Sequence, residues 1–434
     1  MENIINGIKN NQLFYQQDRR VPLTNLTIVF EGAGEQQESE ELANLARITA
    51  KMLFRGTEKL SRLEIAQKFE LMGVDISAHV SETNFTISIS LFTRNLNEAL
   101  SFIKEIILDA SFPESEIELL KIQMKNKLEA SLQDSETVLS AAHKFVIYNG
   151  KRFGKIGSIK SLEAIKRNDL INYFNKVKSA QKIYFTAISD LSNSEILQQL
   201  QIFILDRKMD GFALLPDEKF QIFNNPTVYI FDSPNSSNDR LMWSHEGINI
   251  FDERRFAINL ILDALGSFEG FLFERLRNQK GWCYGAYAFN IAGTINNGKI
   301  GYYADPSSET SKDLIPELFL LLRMFQNEND FIEKLKLRNN TFKNRYAYQL
   351  DLKYKLMREI LFCKYGIPIL SKEEYFAKID EVTFEKANQV ISEIFDLNKL
   401  LMIFYGDANR ITKIVEHTII GAEIKILQPN ILIQ

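Results

Sequence analysis

Two similar stretches, one near the end of each half of the chain, limit its fold more than any other feature. The first reads Ile183-Tyr-Phe-Thr-Ala-Ile-Ser-Asp190 and the second reads Leu401-Met-Ile-Phe-Tyr-Gly-Asp407. Each follows a pair of predicted helices, and each has the β-branched and aromatic residues that favour a strand. Because the order of the other predicted elements also agrees, we interpret the chain as a duplication with a period of roughly 200 residues.

The duplication predicts an α+β fold with two homologous domains, each an antiparallel-rich sheet packed with helices. We place the first domain at 1–205 and the second at 227–434. Residues 206–226 interrupt the pattern with Asp, Lys, Gly and Pro, which is typical of a linker. A length of 434 residues also exceeds what one hydrophobic core usually serves.

Local patterns predict the main elements of both halves. In the first half they predict strands at 13–15 and 23–30, a helix capped by Ser39, a helix from Ser61 to Met72, a hairpin through 85–91, and helices at 96–110 and 115–147. In the second half they predict a strand at 228–231, helices over 251–278, a two-residue hairpin turn at Asn297-Gly298, and helices at 308–327 and 329–365.

Composition excludes several classes of protein. The net charge of -4 and the pI of about 5.8 give no sign of a nucleic-acid-binding surface. We find no run of eighteen or more apolar residues and therefore expect no transmembrane segment. The N-terminus has no apolar core of a signal peptide. The compartment thus stays open: periplasmic if a signal peptide has been removed, otherwise cytoplasmic.

The histidines and cysteines do not form a recognisable metal or disulfide pattern. His79, His143, His245 and His417 are far apart in the sequence. Cys283 and Cys363 have no zinc-ligand spacing, and Cys283 has no evident His partner for nucleophilic chemistry. The sequence also lacks a G-x-S-x-G turn and the glycine-rich loops that bind phosphate.

The stretch Phe271 to Gly285 is the strongest candidate for a functional site. Arg277 falls in the last turn of a predicted helix that ends at Gly281, and Tyr284 begins an aromatic strand. A tight glycine turn between them would bring a guanidinium and a phenol into one cleft, where both can donate hydrogen bonds to a peptide carbonyl or an oxyanion. The alternative is structural, because the helix dipole favours an Arg in a last turn and strands commonly contain Tyr.

Two motifs give the chain a family resemblance. Met52-Leu-Phe-Arg-Gly-Thr57 resembles the segment that follows the H-x-x-E-H zinc motif of the pitrilysin/insulinase-type metallopeptidases, the inverzincins. Leu276-Arg-Asn-Gln-Lys-Gly-Trp-Cys-Tyr284 is similar to the stretch that carries the substrate-binding Arg and Tyr of the family. The resemblance covers nearly the whole chain and implies that Arg277 and Tyr284 bind substrate.

The metal site is where the chain departs from that family. The first His of the motif falls on Arg47, the general-base Glu on Ala50, and the second His on Lys51. The third zinc ligand of relatives, a Glu, falls near Lys127 or Leu128. Zinc needs imidazole, thiolate or carboxylate ligands, and two cations would repel it. We therefore expect no metal and no other cofactor in this chain.

The resemblance implies a way to keep a function without these ligands. Some members of the family are heterodimers of two clam-shaped subunits, in which one carries H-x-x-E-H and the other supplies the Arg/Tyr pair. We thus predict a non-catalytic, substrate-binding subunit that pairs with a zinc-bearing H-x-x-E-H paralogue and a peptide substrate. The alternatives are a proteolytically inert scaffold that resembles the core proteins of a respiratory complex, an inert homodimer, and, least expected, a self-sufficient peptidase.

Overall fold

The computed structural model describes residues 13–151, 154, 156–203, 210–215, 219–234, 236–291, 293, 297–349 and 352–434. These residues form two compact units. Unit 1 is drawn from 1–128, 157–216 and 350–369, and unit 2 from 129–156, 217–349 and 370–434.

The two units do not follow the halves of the sequence along their whole length. Residues 129–156, from the predicted first domain, belong to unit 2, and residues 350–369, from the predicted second domain, belong to unit 1. Parts of the predicted linker at 206–226 lie outside the described residues.

Unit 1 is built on a five-stranded sheet. Its strands are β1 (Leu13–Gln17), β2 (Leu23–Glu31), β3 (Asp75–Val80), β4 (Asn84–Phe92) and β5 (Ile183–Ser189). They lie in the order β1-β5-β2-β4-β3. Only β1 and β5 are parallel neighbours among these strands, and the other three pairs are antiparallel. β1 and β2 are consecutive in the chain, yet β5 lies between them.

Unit 2 is built on a six-stranded sheet. Its strands are β6 (Thr227–Asp232), β7 (Arg240–Glu246), β8 (Cys283–Ile291), β9 (Lys299–Pro306), β10 (Leu401–Gly406) and β11 (Glu423–Leu427). Their order is β11-β6-β10-β7-β9-β8. β6 runs parallel to β10 and β11, whereas β7 pairs antiparallel with β10 and β9, and β8 with β9.

The two sheets have the same strand order and directions, apart from the additional edge strand β11. β6, β10, β7, β9 and β8 occupy the places that β1, β5, β2, β4 and β3 occupy in unit 1. This agreement confirms the α+β fold with two similar, antiparallel-rich sheets packed with helices. The two stretches that first indicated the duplication lie on the equivalent strands β5 and β10.

Helices surround both sheets. They are α1 (Leu45–Met52), α2 (Arg62–Met72), α3 (Leu96–Asp109), α4 (Glu114–Ser131), α5 (Ser135–Ile147), α6 (Ile159–Ala164), α7 (Arg167–Lys178), α8 (Asn193–Leu200), α9 (Arg255–Gly266), α10 (Phe271–Phe273), α11 (Ser311–Met324), α12 (Asn329–Gln349), α13 (Leu352–Tyr365), α14 (Lys372–Asp380), α15 (Phe384–Ile394) and α16 (Ala408–Thr418).

Capping residues explain where several helices begin and end. Ser61 and Glu64 form a capping box at the start of α2, and Gly73 closes that helix with a φ of 61°. The predicted helix cap at Ser39 is wrong, because Ser39 precedes only a short 3₁₀ turn and α1 begins after Asn44. The helix predicted at 115–147 is divided into α4 and α5, since the Asp134 carboxylate accepts a hydrogen bond from the Thr137 amide and caps α5.

The β8–β9 hairpin has a longer connection than the sequence predicted. The ladder pairs Ile291 with Lys299, so residues 292–298 join the strands. The predicted two-residue turn at Asn297-Gly298 is therefore wrong. β7 was not predicted at all: its Ser244 and His245 look like surface residues but are buried. The His245 Nε2 atom lies 2.8 Å from the Tyr302 hydroxyl, and the Ser244 hydroxyl lies 2.8 Å from the His143 Nε2 atom.

Hydrophobic clusters cover both faces of the unit 2 sheet. Along β10, Met402 and Phe404 pack into the cluster that includes α9, whereas Ile403 and Tyr405 pack into the cluster that includes α5. This alternation is expected of a strand buried on both sides. The sheet is thus a fixed platform for β8, which lies at its edge.

By length and composition, the helical stretch Arg255–Gln279 is the one candidate membrane span within the described residues, with a mean hydropathy of 1.5. Of its most apolar window, 72% is buried. Its apolar residues form part of the unit 2 core, which is a sufficient reason for its hydropathy.

Candidate functional site

Arg277 lies in an unusual helical segment. After α10 the backbone continues as a π-helix over Glu274–Gln279. This form is rare in proteins overall, but where it occurs it is often at a functional site. Gly281 ends the segment with a φ of 68°, and its amide donates a hydrogen bond of 2.9 Å to the Arg277 carbonyl. The positive φ favours glycine here, and the chain then turns directly into β8.

The turn places the Arg277 guanidinium between two aromatic rings. Its central carbon lies 4.9 Å from the centre of the Phe273 ring and 4.5 Å from that of Tyr284. Its Nη1 atom donates a hydrogen bond of 2.6 Å to the Tyr284 backbone carbonyl. Within the described part of the chain, Arg277 has no acidic partner. The structure therefore brings Arg277 and Tyr284 together and leaves the positive charge uncompensated.

Tyr284 is held at a bulge in the edge strand. The register between β8 and β9 shifts between Cys283 and Ala286, and such bulges redirect side chains. The Tyr284 side chain is 74% exposed. Its hydroxyl has no hydrogen-bond partner among the residues that the structure describes, so it is available to a ligand.

A carboxylate that the sequence reasoning missed holds this bulge. The Gly285 amide donates a hydrogen bond of 2.6 Å to Asp305 Oδ1. The other oxygen of Asp305 accepts from Arg240 Nη1 at 3.3 Å, and Arg240 Nε donates to the Ser135 hydroxyl at 2.7 Å. The correct hairpin register would have revealed Asp305, because that register places it opposite Gly285.

Stacked aromatic rings pack next to Arg277 and Tyr284. The Tyr287 ring stacks on Phe273, with centroids 6.4 Å apart, and on Tyr303, with centroids 5.8 Å apart. Burial raises the pKa of Tyr303 to about 12 and also raises the pKa of Tyr287. Both phenols therefore stay neutral near neutral pH, and Phe273 joins the stack to the Arg277 guanidinium.

Tyr284 borders an open depression of about 330 Å³. Asn238, Arg240 and Asp305 supply part of its polar lining, and Cys283 also faces it. Burial raises the pKa of the Cys283 thiol to about 12, so this sulfur is not an activated nucleophile. Arg277 and Tyr284 can donate hydrogen bonds to a carbonyl group, whereas Cys283 does not supply a thiolate for bond cleavage.

The positions that correspond to the zinc motif lie on α1 in unit 1 and hold no metal ligand. Arg47 Nη2 donates to Glu35 Oε1 at 2.8 Å. Ala50 is buried, with 2% of its surface exposed, whereas Lys51, one turn after Arg47, is exposed. Two cationic side chains and a methyl group cannot coordinate zinc, which needs imidazole, thiolate or carboxylate ligands.

Of the two residues near which the third ligand falls, Lys127 is a cation and Leu128 is apolar. Partial burial lowers the pKa of Lys51, and the charges of Lys127, Arg47 and Arg55 lower it further. Lys127 is therefore the residue of α4 whose charge acts on the motif helix. Leu128 is buried and Glu129 is exposed. No cluster of three His, Cys, Asp or Glu side chains able to hold a metal ion occurs in the described ranges.

Comparisons with known proteins agree with the motifs. Residues 16–155 match the family model described as insulinase (peptidase family M16), and residues 164–335 match the model described as peptidase M16 inactive domain. The chain is 21% identical over 408 residues to the non-peptidase homolog YmxG of Helicobacter pylori, covering 89% of this chain and 90% of that protein.

Two further relatives are informative. The mitochondrial-processing peptidase subunit beta of Bos taurus is 26% identical over 171 residues, which cover 38% of this chain and 34% of that subunit. The crystal structure of a peptidase M16 inactive domain from Pseudomonas fluorescens superposes with a TM-score of 0.78 at 19% identity, covering 91% of this chain and 95% of that one. The chain belongs to the insulinase family of peptidases, M16, as a member that lacks the H-x-x-E-H residues.

Proposed function

We propose that this chain is the non-catalytic, substrate-binding subunit of a heterodimeric zinc metallopeptidase. The observation that carries the proposal is the state of Arg277: it is packed between two rings, fixed by one hydrogen bond, and without an acidic partner in the described residues. A purely structural arginine is usually paired, because a partly buried charge without compensation costs free energy. Arg277 instead presents an uncompensated charge next to an exposed phenol.

Arg277 and Tyr284 have the chemistry to hold a peptide. A guanidinium has five N–H donors, of which one is seen bound to the Tyr284 carbonyl, and the phenol supplies a sixth donor. Donors of this kind bind a substrate carbonyl and bind the oxyanion of a tetrahedral intermediate more strongly. Among the residues that the structure describes, this site has no metal ligand set and its Cys283 thiol is not activated, so the proposal assigns the cleaving groups to a partner that carries H-x-x-E-H and zinc.

The names of two relatives support two parts of the proposal, the absence of catalysis by this chain and its role within an assembly. One is named as a non-peptidase homolog, which fits a chain without the metal ligands. Another is named as a subunit of a processing peptidase, which fits a role within an assembly. The partner and the peptide are therefore proposed together with the role of Arg277 and Tyr284.

A proteolytically inert scaffold is the second candidate. The name of the Helicobacter relative favours it, since that name describes a non-peptidase homolog. The π-helical segment, the bulge at Tyr284 and the Asp305 network argue against it, because a scaffold has no need of an exposed and uncompensated donor pair.

Affinity purification from the native source, followed by mass spectrometry, tests the proposal first. We expect a stoichiometric companion with an H-x-x-E-H motif. The two chains are then purified separately and recombined, and cleavage of a library of quenched fluorescent peptides is measured. The pair should cleave, and each chain alone should be far slower. A companion without the motif, or a companion that cleaves equally well alone, would favour the scaffold.

A further inference from the structure

The depression of about 330 Å³ beside Tyr284 contains an arginine whose donors are only partly used. Arg240 lines it, and the Arg240 side chain is 22% exposed, so most of this side chain is buried. Its Nε atom donates to the Ser135 hydroxyl, and its Nη1 atom donates to the Tyr303 hydroxyl and to Asp305. Its Nη2 atom, which carries two N–H groups, has no hydrogen-bond partner among the described residues.

Asn238 supplies a second donor to the same depression. Its side chain is exposed, and its amide group has no hydrogen-bond partner in the part of the chain that the structure describes. An isolated β-bridge to Ser307 holds the backbone at this position. A ligand in the depression therefore meets two free donors, Arg240 Nη2 and Asn238 Nδ2.

Acidic groups near these donors are either engaged or outside the depression. One oxygen of Asp305 accepts from the Gly285 amide at 2.6 Å, and the other accepts from Arg240 Nη1 at 3.3 Å. Asp134 and Glu136, at the start of α5, neither form an ion pair with Arg240 nor line the depression. The free donors thus have no internal carboxylate that could satisfy them.

Two further cations pack on aromatic rings that border the depression. Lys280 Nζ lies 5.2 Å from the centre of the Trp282 ring, and the guanidinium carbon of Arg277 lies 4.5 Å from that of Tyr284. Both rings line the depression. Neither cation has an acidic partner among the residues that the structure describes. Their charges are not cancelled by ion pairs, which favours an anionic ligand.

We propose that the depression binds the acidic side chain of a substrate residue, so that preferred peptides carry Asp or Glu near the carbonyl that Arg277 and Tyr284 bind. The inference rests on the proposed function and adds a substrate class to it. Arg277 and Tyr284 contact the peptide backbone, which is the same in every sequence, whereas the depression receives a side chain. One carboxylate oxygen can accept from Arg240 Nη2 and the other from Asn238 Nδ2, and charge-assisted hydrogen bonds of this kind are strong.

Other classes of side chain fit the depression less well. The charges of Lys280 and Arg277 repel a basic side chain. An apolar side chain would displace water from Arg240 Nη2 and the Asn238 amide without replacing its hydrogen bonds, which costs free energy. A glutamine can accept one of these bonds but has no charge. We therefore expect glutamate to bind more tightly than glutamine.

The test uses the full-length chain and two fluorescent peptides of glycine and serine that differ in one central residue, glutamate or glutamine. Both end in an amide, so that the glutamate carries the one carboxylate. Fluorescence anisotropy should show the glutamate peptide binding about tenfold more tightly, with a ratio that falls as salt is added. Asn238→Asp adds a like charge to the depression and should lower the ratio to about one or less. Arg240→Gln is a poorer test, because it also leaves Asp305 without its cation.

Asn290→Asp is the matched control. Asn290 is exposed and lies on β8, the strand of Tyr284, but it does not line the depression. The substitution changes the net charge by the same amount as Asn238→Asp and should leave the ratio within a factor of about two. Lys280→Gln, at an exposed position, should lower the ratio by about twofold. Thermal melting checks that all variants fold.

Two binding results would overturn the inference. Equal affinities of the two peptides would show that the depression does not recognise a carboxylate. Equal falls of the ratio in Asn238→Asp and Asn290→Asp would show that only net charge matters.

The proposed function fails in a different measurement. A reconstituted pair that cleaves the glutamate and glutamine peptides at equal rates would keep that function and overturn the inference. A glutamate preference in binding by a chain that has no cleaving partner would support the inference and overturn the proposed function.

Discussion

Unit 1 and unit 2 each present an arginine in a segment that the sequence analysis singled out, and the two are held in opposite ways. Arg47 in unit 1 is paired with Glu35, and the positions around it carry Ala50 and Lys51. Arg277 in unit 2 lies between aromatic rings and binds a backbone carbonyl. Aromatic faces and carbonyls orient a guanidinium without cancelling its charge, whereas a carboxylate cancels it. The difference supports the proposal that Arg277 of unit 2 is available to a substrate, whereas Arg47 of unit 1 is not.

The largest effect should come from Arg277→Ala in the reconstituted pair. Removing one donor to a developing oxyanion typically costs about 2.7–4 kcal/mol, so cleavage should fall by about 100- to 1000-fold. The measurement is kcat/KM of the pair with a fluorescent peptide. Size-exclusion chromatography should show that the two subunits still assemble.

Arg275→Ala is the control for that loss. Arg275 belongs to the same π-helical segment but pairs with Glu328 at 3.0 Å and with Asp330 at 3.1 Å. Its removal should leave kcat/KM within a factor of about three. Tyr284→Phe, which deletes one hydroxyl, should lower the rate less than Arg277→Ala. If both Arg277→Ala and Tyr284→Phe cleave at the wild-type rate, these residues are structural.

A carboxylate at position 50 should disrupt unit 1. Ala50 is 2% exposed, so Ala50→Glu must bury a charge or expel it at the expense of packing. We expect a loss of about 3 kcal/mol in the free energy of unfolding, measured by urea denaturation. Lys51→Glu, at the neighbouring and exposed position, should leave stability unchanged or raise it slightly, because it places a carboxylate near the cations Arg47, Arg55 and Lys127.

An equally small change in Ala50→Glu and Lys51→Glu would show that α1 still accommodates the acidic residue of the zinc motif. In that event the loss of metal ligands would involve side chains only. A large loss in Ala50→Glu alone would show instead that the packing around α1 has changed as well.

Acid should destabilise unit 2 through two buried histidines. Burial lowers the pKa of His143 to about 3 and that of His245 to about 4, from an ordinary value of 6.5. The folded state keeps both rings neutral, while the unfolded state takes up protons below pH 6.5. The free energy of unfolding is therefore not reduced by these histidines above pH 6.5, and it decreases as the pH falls toward 4. Between pH 6.5 and 4.5 each histidine should remove about 2 kcal/mol.

Urea denaturation at a series of pH values checks this prediction. The slope of the free energy of unfolding against pH reports how many protons are taken up on unfolding. His143→Gln should lower that number by nearly one, because one buried group no longer titrates. His79→Gln, which removes an exposed histidine of unit 1, should retain the wild-type slope. Identical slopes in all three proteins would mean that carboxylates alone determine the acid sensitivity.

The fold could be predicted where local patterns and the internal repeat agreed. β5 and β10 were found because each is a buried apolar strand in an equivalent place. β7 was missed because its polar residues are buried with partners from elsewhere, such as His143 for Ser244, and a sequence pattern shows no partners. The assignment of residues 129–156 to unit 2 was beyond reach for a similar reason, since periodicity predicts a helix but not the core that it joins.

The sequence predicted that Arg277 and Tyr284 lie together, but it did not predict the residues that surround them. A glycine turn between a helix and a strand indicated that Arg277 and Tyr284 would meet, and their contact has that geometry. Asp305 and Tyr287 depend on the hairpin register and on stacking across strands, and an error in the turn shifts every such pairing. The role of the pair stays a prediction until the reconstituted assembly is assayed.

The smallest effect concerns the cations of unit 1. Partial burial and neighbouring cations lower the pKa of Lys51, so its charged form is less favourable in the folded state than in the unfolded state. Stability should therefore rise as pH rises through the lowered pKa. Lys51→Gln removes the charge and should stabilise the chain by about 0.5 kcal/mol at neutral pH, a small value because the side chain is exposed.

Lys125→Gln sharpens this last comparison, because it removes another lysine of unit 1, one on α4 that has an acidic partner. Its stability should stay equal to wild type or fall by up to about 0.5 kcal/mol, since the pair with Glu163 is lost. Opposite signs for the two variants would show that unit 1 carries an unrelieved positive charge on α1, at the positions that correspond to the zinc motif. A loss of stability in Lys51→Gln as well would mean that the surroundings of Lys51 stabilise its charge. In that case unit 1 would have no unrelieved charge to compare with that of Arg277 in unit 2.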